Sequence, residues 1–342
     1  MIEFGSDFHL CDTFGSQKGG DLSAYKELRY YACGRHAIEA LICQERWIRL
    51  WVPVYFCYEV ISHIRSTGIH VEFYDDNPLA DDDSILKTLS FRSGDALLRV
   101  NYFGLRTRRS NKDIPVPVVE DHTHALISDW AQNSDADWCI ASVRKTVPLA
   151  AGGILWSPSG RRLPDQLSTS SECEEMASIR YDAMSMKRDY LASGGDKDIL
   201  RAKYIQSEEM IERLKITGMD SRSKEILCSF DLAEWNSRRK ENWRVAFGAL
   251  RTRFNIIHPI SDEKCVPFSL IIVCKTPEER VSLRQYLIEH NVYPAILWKI
   301  PSNEIYHDAY MFSELMLSVH CDGRYTTTDM EDLCHIINSY YD

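Results

Sequence analysis

The fold is decided by residues 116–156, which read VPVVEDHTHALISDWAQNSDADWCIASVRKTVPLAAGGILW. The run 116–119 is short, apolar and β-branched and stops at Glu120-Asp121, and the run 138–141 stops at Ser142. Short apolar runs that end in polar residues are typical of buried strands in a parallel sheet. Ligands of open α/β sheets bind outside the carboxyl ends of the strands. We therefore expect one site to contain Asp121, His124, Ser142 and Lys145.

A buried carboxylate and a buried lysine are both costly unless they are paired or used chemically. One cofactor uses both. Pyridoxal 5′-phosphate (PLP) is held as a Schiff base on a lysine, and a carboxylate pairs with its pyridinium nitrogen. The stretch therefore predicts a PLP site built on Lys145 and Asp121.

Three motifs in this stretch resemble the DegT/DnrJ/EryC1/StrS family of PLP-dependent aminotransferases. They are EDHTHA at 120–125, SVRKTVPL at 142–149 and the pair Gly152-Gly153, in the family's order and spacing. The resemblance, to a less characterised branch, implies the α/β fold called fold type I. Its large domain, here residues 1–225 including an N-terminal arm, has a mostly parallel sheet flanked by helices. A smaller α+β domain is expected over 226–342.

The totals exclude several classes of function. The chain has 342 residues, 44% of them hydrophobic and 26% charged, with a net charge of −10. Such an acidic balance argues against a nucleic-acid or anionic-membrane partner. The local basic cluster of Arg106, Arg108 and Arg109 is expected to be a solvated loop. No run approaches the length of a membrane span.

Eleven cysteines are scattered without C-x-x-C or other metal-like spacing, so no metal site is expected. Several lie in apolar segments, where a free cysteine behaves as a small hydrophobe: Cys33, Cys57, Cys139, Cys228 and Cys274. The amino terminus lacks the pattern of a signal peptide. These features predict a cytoplasmic protein.

Strands alternate with helices, which indicates βαβ units. The pattern predicts strands at 47–54, 70–74, 96–102, 116–119, 138–141, 268–274, 292–298 and 315–319. Helices are predicted at 22–43 with an interruption at 33–37, and at 58–66, 161–225 with a break at 193–195, 226–250, 277–290 and 328–340. Thr328 and Glu331 are expected to cap the last helix, and the charged faces of 161–225 are expected to be solvated.

The turn Gly34-Arg35-His36 precedes a helix, where free backbone N–H groups and a positive dipole end suit a phosphate. In the resembling family such a turn binds the PLP phosphate. The alternative is a plain break in a helix with Arg35 at the surface. By the same resemblance an aromatic side chain stacks on the cofactor ring near Cys57, and Phe56 and Tyr58 are the two candidates. The alternative for Phe56 is core packing.

The resemblance also implies individual roles. Lys145 would form the Schiff base and then act as the general base, and Asp121 would keep the ring nitrogen protonated. His124 would lie near the cofactor's phenolic oxygen, with a purely supporting histidine as the alternative. Ser142 would donate to the phosphate, and Gly152-Gly153 would let the backbone pass close by. Arg144 is expected to pair at the surface.

Fold type I enzymes build their sites across a dimer interface, so the resemblance implies a homodimer. Ser221 and Arg222 are the candidates for a phosphate ligand given to the partner chain. Arg324 and Tyr325 are candidate substrate residues, with a structural Asp322–Arg324 pair as the alternative. Trp298 is expected in the core.

The leading hypothesis is a PLP-dependent aminotransferase. It would pass an amino group from an amino acid such as glutamate to a keto sugar, and a nucleotide-linked sugar is one candidate. This substrate class rests on family analogy. Two alternatives remain open: another fold type I enzyme, such as a lyase or a decarboxylase, and a catalytically silent binding or regulatory protein.

Overall fold

The computed structural model describes residues 2–11, 21–80, 82–251, 255–302 and 305–341. The strands are β1 (Phe4–Gly5), β2 (Arg29–Tyr31), β3 (Arg49–Pro53), β4 (His70–Tyr74), β5 (Asp95–Val100), β6 (Val118–Asp121), β7 (Trp138–Ala141), β8 (Gly153–Trp156), β9 (Asn255–Ile256), β10 (Ser269–Val273), β11 (Val292–Tyr293) and β12 (Met316–His320). The helices are α1 (Gly34–Glu45), α2 (Tyr58–Ser66), α3 (Asp129–Gln132), α4 (Ser171–Ser193), α5 (Asp198–Arg213), α6 (Ser221–Ser229), α7 (Leu232–Ala249), α8 (Pro277–Glu289), α9 (His307–Leu315) and α10 (Thr327–Ser339).

A seven-stranded central sheet of order β2-β8-β7-β6-β5-β3-β4 organises the described part of the chain. Its strands β3 to β7 pair in parallel, whereas β8 is antiparallel to β7 and β2 is antiparallel to β8. Every residue of β5, β6, β7 and β8 is buried, as expected for strands covered on both faces. The predicted α/β fold with a mostly parallel sheet is confirmed.

The two antiparallel strands at one side of the sheet were not predicted. The helix expected from residue 22 is limited to a short 3₁₀ turn, Asp21–Ala24, and is wrong over 25–32, where Arg29–Tyr31 forms the edge strand β2 and pairs with β8. The helix of this region, α1, begins only at Gly34. A three-residue edge strand is fixed by its distant partner, so local periodicity does not reveal it.

A smaller antiparallel sheet of order β12-β10-β9 lies in the carboxyl-terminal part. The strand predicted at 292–298 is mostly wrong: Val292–Tyr293 pairs in parallel with Phe4–Gly5 of the amino-terminal arm, and beyond it Ala295 makes an isolated antiparallel bridge to Ser318. The last helix is capped by Thr326 and Asp329, two residues before the predicted pair. Both pairs fit the capping-box pattern, and the structure selects the earlier one.

The connecting region is helical, with the predicted break at Gly194. Its first helix, α4, starts after the capping residue Ser170, so the predicted helix is wrong over 161–170, and it is wrong again over 214–220, between α5 and α6. The single helix predicted at 226–250 is two helices, because the Asp231 side chain caps a new start. Residues 221–229 form one helix, and a domain boundary near 226 stays a prediction.

The expectation of a solvated arginine loop is wrong for Arg106, which is buried. Its guanidinium donates to both Asp76 carboxylate oxygens at 2.7 and 3.0 Å. Arg109 is largely buried too and pairs with Asp83. Cys228 is exposed, against expectation, whereas the other four cysteines named above are buried. Within the described ranges, none of the helices combines the length and apolar character that crossing a bilayer requires.

Candidate active site

A pocket opens at the carboxyl ends of β5, β6 and β7. Its polar and aromatic walls include Gly34, Arg35, Phe56, Cys57, Asp121, Thr123, His124, Ser142, Arg144, Lys145, Glu208 and Trp298. The four residues predicted to converge, Asp121, His124, Ser142 and Lys145, therefore line one pocket.

Asp121 is the last residue of β6, so its side chain leaves the strand at the pocket. Its carboxylate accepts a 2.8 Å hydrogen bond from the Thr123 amide, and the Thr123 hydroxyl oxygen accepts one from the Ser142 amide at 2.9 Å. These bonds tie the loop after β6 to the loop after β7. Burial raises the pKa of Asp121, while the bonds from Thr123 and the Lys145 charge act in the opposite direction. A carboxylate in this state gains from a cationic partner.

Glu120 precedes Asp121 and points to the opposite face of the sheet, as alternation along a strand requires. Its carboxylate is fully enclosed and accepts hydrogen bonds from Asn111 at 2.7 Å and Ser134 at 2.6 Å, and it lies 3.0 Å from the His122 ring. Burial alone would raise the Glu120 pKa, but these groups hold it below its usual value. His122 is thus a structural residue that anchors the strand carrying Asp121.

His124 lies in the pocket wall as a neutral imidazole. Burial, and the nearby charges of Lys145 and Arg239, lower its pKa to about 3. Its Nδ1 accepts a 3.1 Å hydrogen bond from the Phe103 amide, so the ring hydrogen is on Nε2. The ring stacks on Phe268, with centroids 4.5 Å apart. The fixed tautomer gives His124 one N–H donor.

The amino end of α1 forms the far end of the pocket. No side chain caps this helix at Cys33, and unpaired N–H groups at such an end favour an anion. A Cβ at Gly34 would lie 3.0 Å from the Cβ of Ser142, and one at Gly153 would lie 2.2 Å from the Cys33 carbonyl oxygen. Because the glycine pair 152–153 has no Cβ atoms, the start of β8 can pack directly against the amino end of α1.

Two arginines reach the same wall. The Arg35 guanidinium donates to the Ile211 carbonyl, and its Nε is buried without a partner in the described ranges. Arg144 donates to both Glu208 carboxylate oxygens, at 2.8 and 3.1 Å, so it is part of the pocket wall, contrary to the surface pairing expected. Although burial raises the Glu208 pKa, Arg144 and Arg180 lower it to about 2. Glu208 was missed because charged helix faces are usually solvated.

Two aromatic side chains border the pocket. Phe56 is one of the predicted pair, but Tyr58 lies elsewhere and stacks on Phe73 at 5.9 Å. Trp298, expected in the core, is half-buried and also lines the pocket. Its ring is nearly parallel to His124 and lies 6.0 Å from the Lys145 Nζ. Trp298 comes from the carboxyl-terminal part, which no local signal connects to this site.

Three further predicted site residues lie away from the pocket. His36 is completely buried behind its wall, with Nε2 3.1 Å from the Leu214 carbonyl oxygen. Arg324 pairs with both Asp322 oxygens at 2.8 Å, and Tyr325 donates from its hydroxyl to the Glu3 carbonyl. The structural alternative for the Asp322–Arg324 pair is therefore the one observed. Ser221 and Arg222 are exposed at the start of α6.

A second pocket adjoins the first and shares His124, Arg144, Lys145, Glu208 and Trp298 with it. It continues past Phe8, Tyr204 and Tyr293, and Arg180 bridges Glu208 and Asp7 in its wall, at 3.0 and 2.7 Å. Lys145 thus lies where the two pockets meet. This arrangement provides one space for a cofactor and another for a second reactant.

Comparisons with solved structures identify the same architecture over nearly the whole chain. PseC of Helicobacter pylori, an aminotransferase involved in the biosynthesis of pseudoaminic acid, is 12% identical, with a TM-score of 0.63 and 99% of both chains covered. The fold is that of the sugar aminotransferases. The sugar aminotransferase CalS13 of Micromonospora echinospora superimposes with a TM-score of 0.57 at 12% identity, over 92% of this chain and 88% of CalS13.

NtdA of Bacillus subtilis, solved with the bound cofactor PMP, has the sugar-aminotransferase fold too. It superimposes with a TM-score of 0.60 at 13% identity, over 92% of this chain and 74% of NtdA. At the level of sequence, neither a family model nor a curated protein matches the chain.

Proposed function

We propose that this protein is a PLP-dependent aminotransferase of the DegT/DnrJ/EryC1/StrS type. The observation that carries the proposal is that Asp121, Lys145 and the amino end of α1 all border one pocket. PLP has three matching features: a ring nitrogen that pairs with a carboxylate, an aldehyde that reacts with an amine, and a phosphate that suits a helix end. The fold shared with PseC, CalS13 and NtdA adds support.

The residues present fit this cofactor. Burial raises the pKa of Asp121, and a pyridinium cation beside it would stabilise the charged carboxylate. At the other end, the glycines at 34 and 153 leave backbone where a Cβ would collide, and Ser142 and Arg35 lie beside it. When bound, PLP supplies an aldehyde that takes up an amino group and a protonated ring that withdraws electrons.

Several of the pocket's side chains have a proposed role in the reaction. Lys145 would hold the cofactor through its amine and would accept and return the proton that moves during amino transfer. Asp121 would keep the ring nitrogen protonated. His124, neutral and with its hydrogen on Nε2, would offer one N–H donor to the cofactor. Phe56 and Trp298, which border the pocket, would exclude water from the ring.

The second pocket is the proposed place for the substrates, an amino acid such as glutamate and then a keto sugar, with a nucleotide-linked sugar as one candidate. A homodimer is proposed as well, with the exposed Ser221 and Arg222 as the candidate ligands for a partner's phosphate. Eleven free cysteines support a reducing compartment, for which the cytoplasm is the proposal.

A half-reaction tests the proposal and separates its alternatives. Protein loaded with PLP is mixed with L-glutamate alone, and the bound cofactor and released products are quantified by chromatography. An aminotransferase yields one equivalent each of pyridoxamine 5′-phosphate and 2-oxoglutarate. Release of carbon dioxide or of an eliminated group with regenerated PLP indicates a decarboxylase or a lyase. A protein that retains no PLP indicates the silent descendant.

A further inference from the structure

Three lysine or arginine side chains of the described ranges line the second pocket: Arg144, Lys145 and Arg180. The proposed function assigns Lys145 to the cofactor. Arg144 also lines the first pocket, and both of its η nitrogens donate to the Glu208 carboxylate. Arg180 is therefore the guanidinium that the second pocket, and not the first, presents to a ligand.

Arg180 is held in place on helix α4. Its Nη1 donates to a Glu208 carboxylate oxygen at 3.0 Å, and its guanidinium carbon lies 4.9 Å from the centre of the Tyr204 ring. The Tyr204 hydroxyl in turn donates to the Phe8 carbonyl oxygen at 2.6 Å. A guanidinium that one carboxylate and one aromatic ring already hold loses little freedom when its remaining donors bind a second, planar carboxylate.

A carboxylate of the amino-terminal arm now occupies those remaining donors. The Asp7 Oδ1 accepts a hydrogen bond from the Arg180 Nη2 at 2.7 Å. The Asp7 side chain is 40% exposed, and an ion pair at such a position contributes little net stability. The Asp7 backbone is held separately, since its carbonyl oxygen accepts from Lys187 at 2.7 Å and from Arg324 at 3.3 Å. The side chain can therefore turn away while the arm stays in place.

The charges of this wall favour the exchange of one carboxylate for another. Arg144 and Arg180 carry two positive charges, and Glu208 and Asp7 carry two negative ones, so the wall is balanced. When Asp7 turns away, one positive charge is left at the edge of a pocket that is otherwise mostly aromatic and aliphatic. Water screens a charge less well in such surroundings. An anionic ligand restores the balance, and a neutral one does not.

We propose that Arg180 determines specificity for the amino donor by binding a carboxylate of the substrate, and that Asp7 is the internal carboxylate which the substrate displaces. Because Lys145 lies where the two pockets meet, an amino acid can direct its amino group to the first pocket and a carboxylate to Arg180. The ligands of this class are a dicarboxylic amino acid and its 2-oxo acid. The identity of the donor rests on the proposed function. Arg180 fills the role that Arg324, paired with Asp322, does not.

Glutarate tests the site without any reaction, because it has the two carboxylates of glutamate but no amino or keto group. Its Kd is measured by calorimetry on the purified protein. Arg180→Gln should raise the Kd about tenfold to a hundredfold, the value of hydrogen bonds to a charged group. Asp7→Asn breaks the same ion pair from the other side, yet it should lower the Kd by up to about fivefold, because the competing carboxylate is gone.

Lys203→Gln is the matched control. The Lys203 ammonium of α5 pairs with Asp182 of α4 at 3.2 Å, much as Glu208 of α5 pairs with Arg180 of α4, but Lys203 lines neither pocket. This variant should leave the Kd for glutarate unchanged. Thermal melts show whether each variant is folded, and Arg180→Lys, which keeps the charge but not the planar fork, should give an intermediate Kd.

Opposite shifts of the Kd in Arg180→Gln and Asp7→Asn are the result that a displaced carboxylate predicts, since an ion pair with a structural role alone would weaken binding in both variants. The proposal is overturned if the wild type does not bind glutarate, if both variants shift the Kd in the same direction, or if neither shifts it. The proposed function is tested separately with glutamate. Glutarate binding as expected, without formation of pyridoxamine 5′-phosphate from glutamate, would support the carboxylate site and refute the aminotransferase.

Discussion

Asp121 ends strand β6 and Lys145 follows strand β7, and the two side chains line the same pocket although 23 residues separate them in the sequence. The Lys145 charge acts on the Asp121 carboxyl, whose pKa burial raises. The parallel pairing of β6 with β7 is what brings the two loops to one edge of the sheet. The neighbouring Glu120 points the other way and has the opposite pKa shift.

These opposite shifts predict opposite effects on stability. Because the folded chain holds the Asp121 proton more tightly than the unfolded chain does, this carboxyl stabilises the fold at acidic pH and loses that contribution as pH rises through its folded pKa. Asp121→Asn should therefore raise the melting temperature of the cofactor-free protein at pH 7 and have little effect at pH 4.

Glu120→Gln is the matched comparison. The pKa of Glu120 is lowered in the folded chain, so the contribution of this carboxylate to stability is present at pH 7 and is lost as the pH falls. Removing the charge should cost about 3 kcal/mol of unfolding free energy at pH 7, since His122, Asn111 and Ser134 lose a charged acceptor. Thermal melts of both variants at the two pH values measure this. A cofactor-free Asp121→Asn protein that melts lower than the wild type at pH 7 would contradict the account of this pair.

Gly153→Ala should weaken cofactor binding. The new Cβ would lie 2.2 Å from the Cys33 carbonyl oxygen and 2.8 Å from the Gly34 nitrogen, so the end of α1 must move. Overpacking of this kind costs about 1–3 kcal/mol, which corresponds to a rise in Kd of about fivefold to 150-fold. Fluorescence titration with pyridoxamine 5′-phosphate measures it. Gly248→Ala in α7 meets nothing within 4 Å and should leave the Kd unchanged. Equal Kd values for both variants would show that the amino end of α1 is not part of the binding site.

His124 should act as a neutral donor. His124→Phe removes the Nε2 hydrogen and should lower kcat/KM by about tenfold to a hundredfold, the value of one hydrogen bond to a charged group. His124→Gln keeps a donor and should retain more activity. Since burial, Lys145 and Arg239 lower the His124 pKa to about 3, the ring stays neutral from pH 5 to 8. An inflection near pH 6.5 that is present in the wild type and absent in His124→Gln would show that the ring titrates.

Arg324 should matter for stability and not for substrate binding. Arg324→Ala removes the guanidinium partner of the buried Asp322 carboxylate, leaving His320 beside it at 3.5 Å, and should cost about 3 kcal/mol in urea unfolding, with KM unchanged in the folded fraction. Arg213→Ala removes an exposed arginine whose carboxylate partner lies four residues before it in the helix, and it should cost less than about 0.5 kcal/mol. A stable Arg324→Ala protein with a raised KM would contradict this and show that Arg324 binds substrate.

Local sequence patterns were sufficient where an element is long or continuously apolar. The predicted helix at 58–66 and the strands at 70–74 and 138–141 match the observed bounds. The convergence of Asp121 and Lys145 followed from one topological rule, that polar residues at the carboxyl ends of adjacent parallel strands meet. Neither inference needed information from distant parts of the chain.

Three of the failures share one cause, which is dependence on a distant partner. Strand β2 exists because β8 pairs with it. Arg106 can be buried because the carboxylate of Asp76, thirty residues away, accepts hydrogen bonds from both of its η nitrogens. Trp298 reaches the pocket from the far end of the chain, where its sequence context resembles a core segment. In each case the deciding contact is made between segments that local periodicity cannot relate.

Locating the covalent bond between PLP and the protein tests directly whether Lys145 carries the cofactor. Purified protein is incubated with PLP, reduced with borohydride, digested and mapped by mass spectrometry, with Lys145→Ala treated in parallel. If Lys145 carries the cofactor, the wild type will show a visible absorbance band before reduction and one pyridoxyl group on Lys145 after it, and the variant will show neither. A colourless wild type, or modification spread over surface lysines and equal in the two proteins, would contradict it.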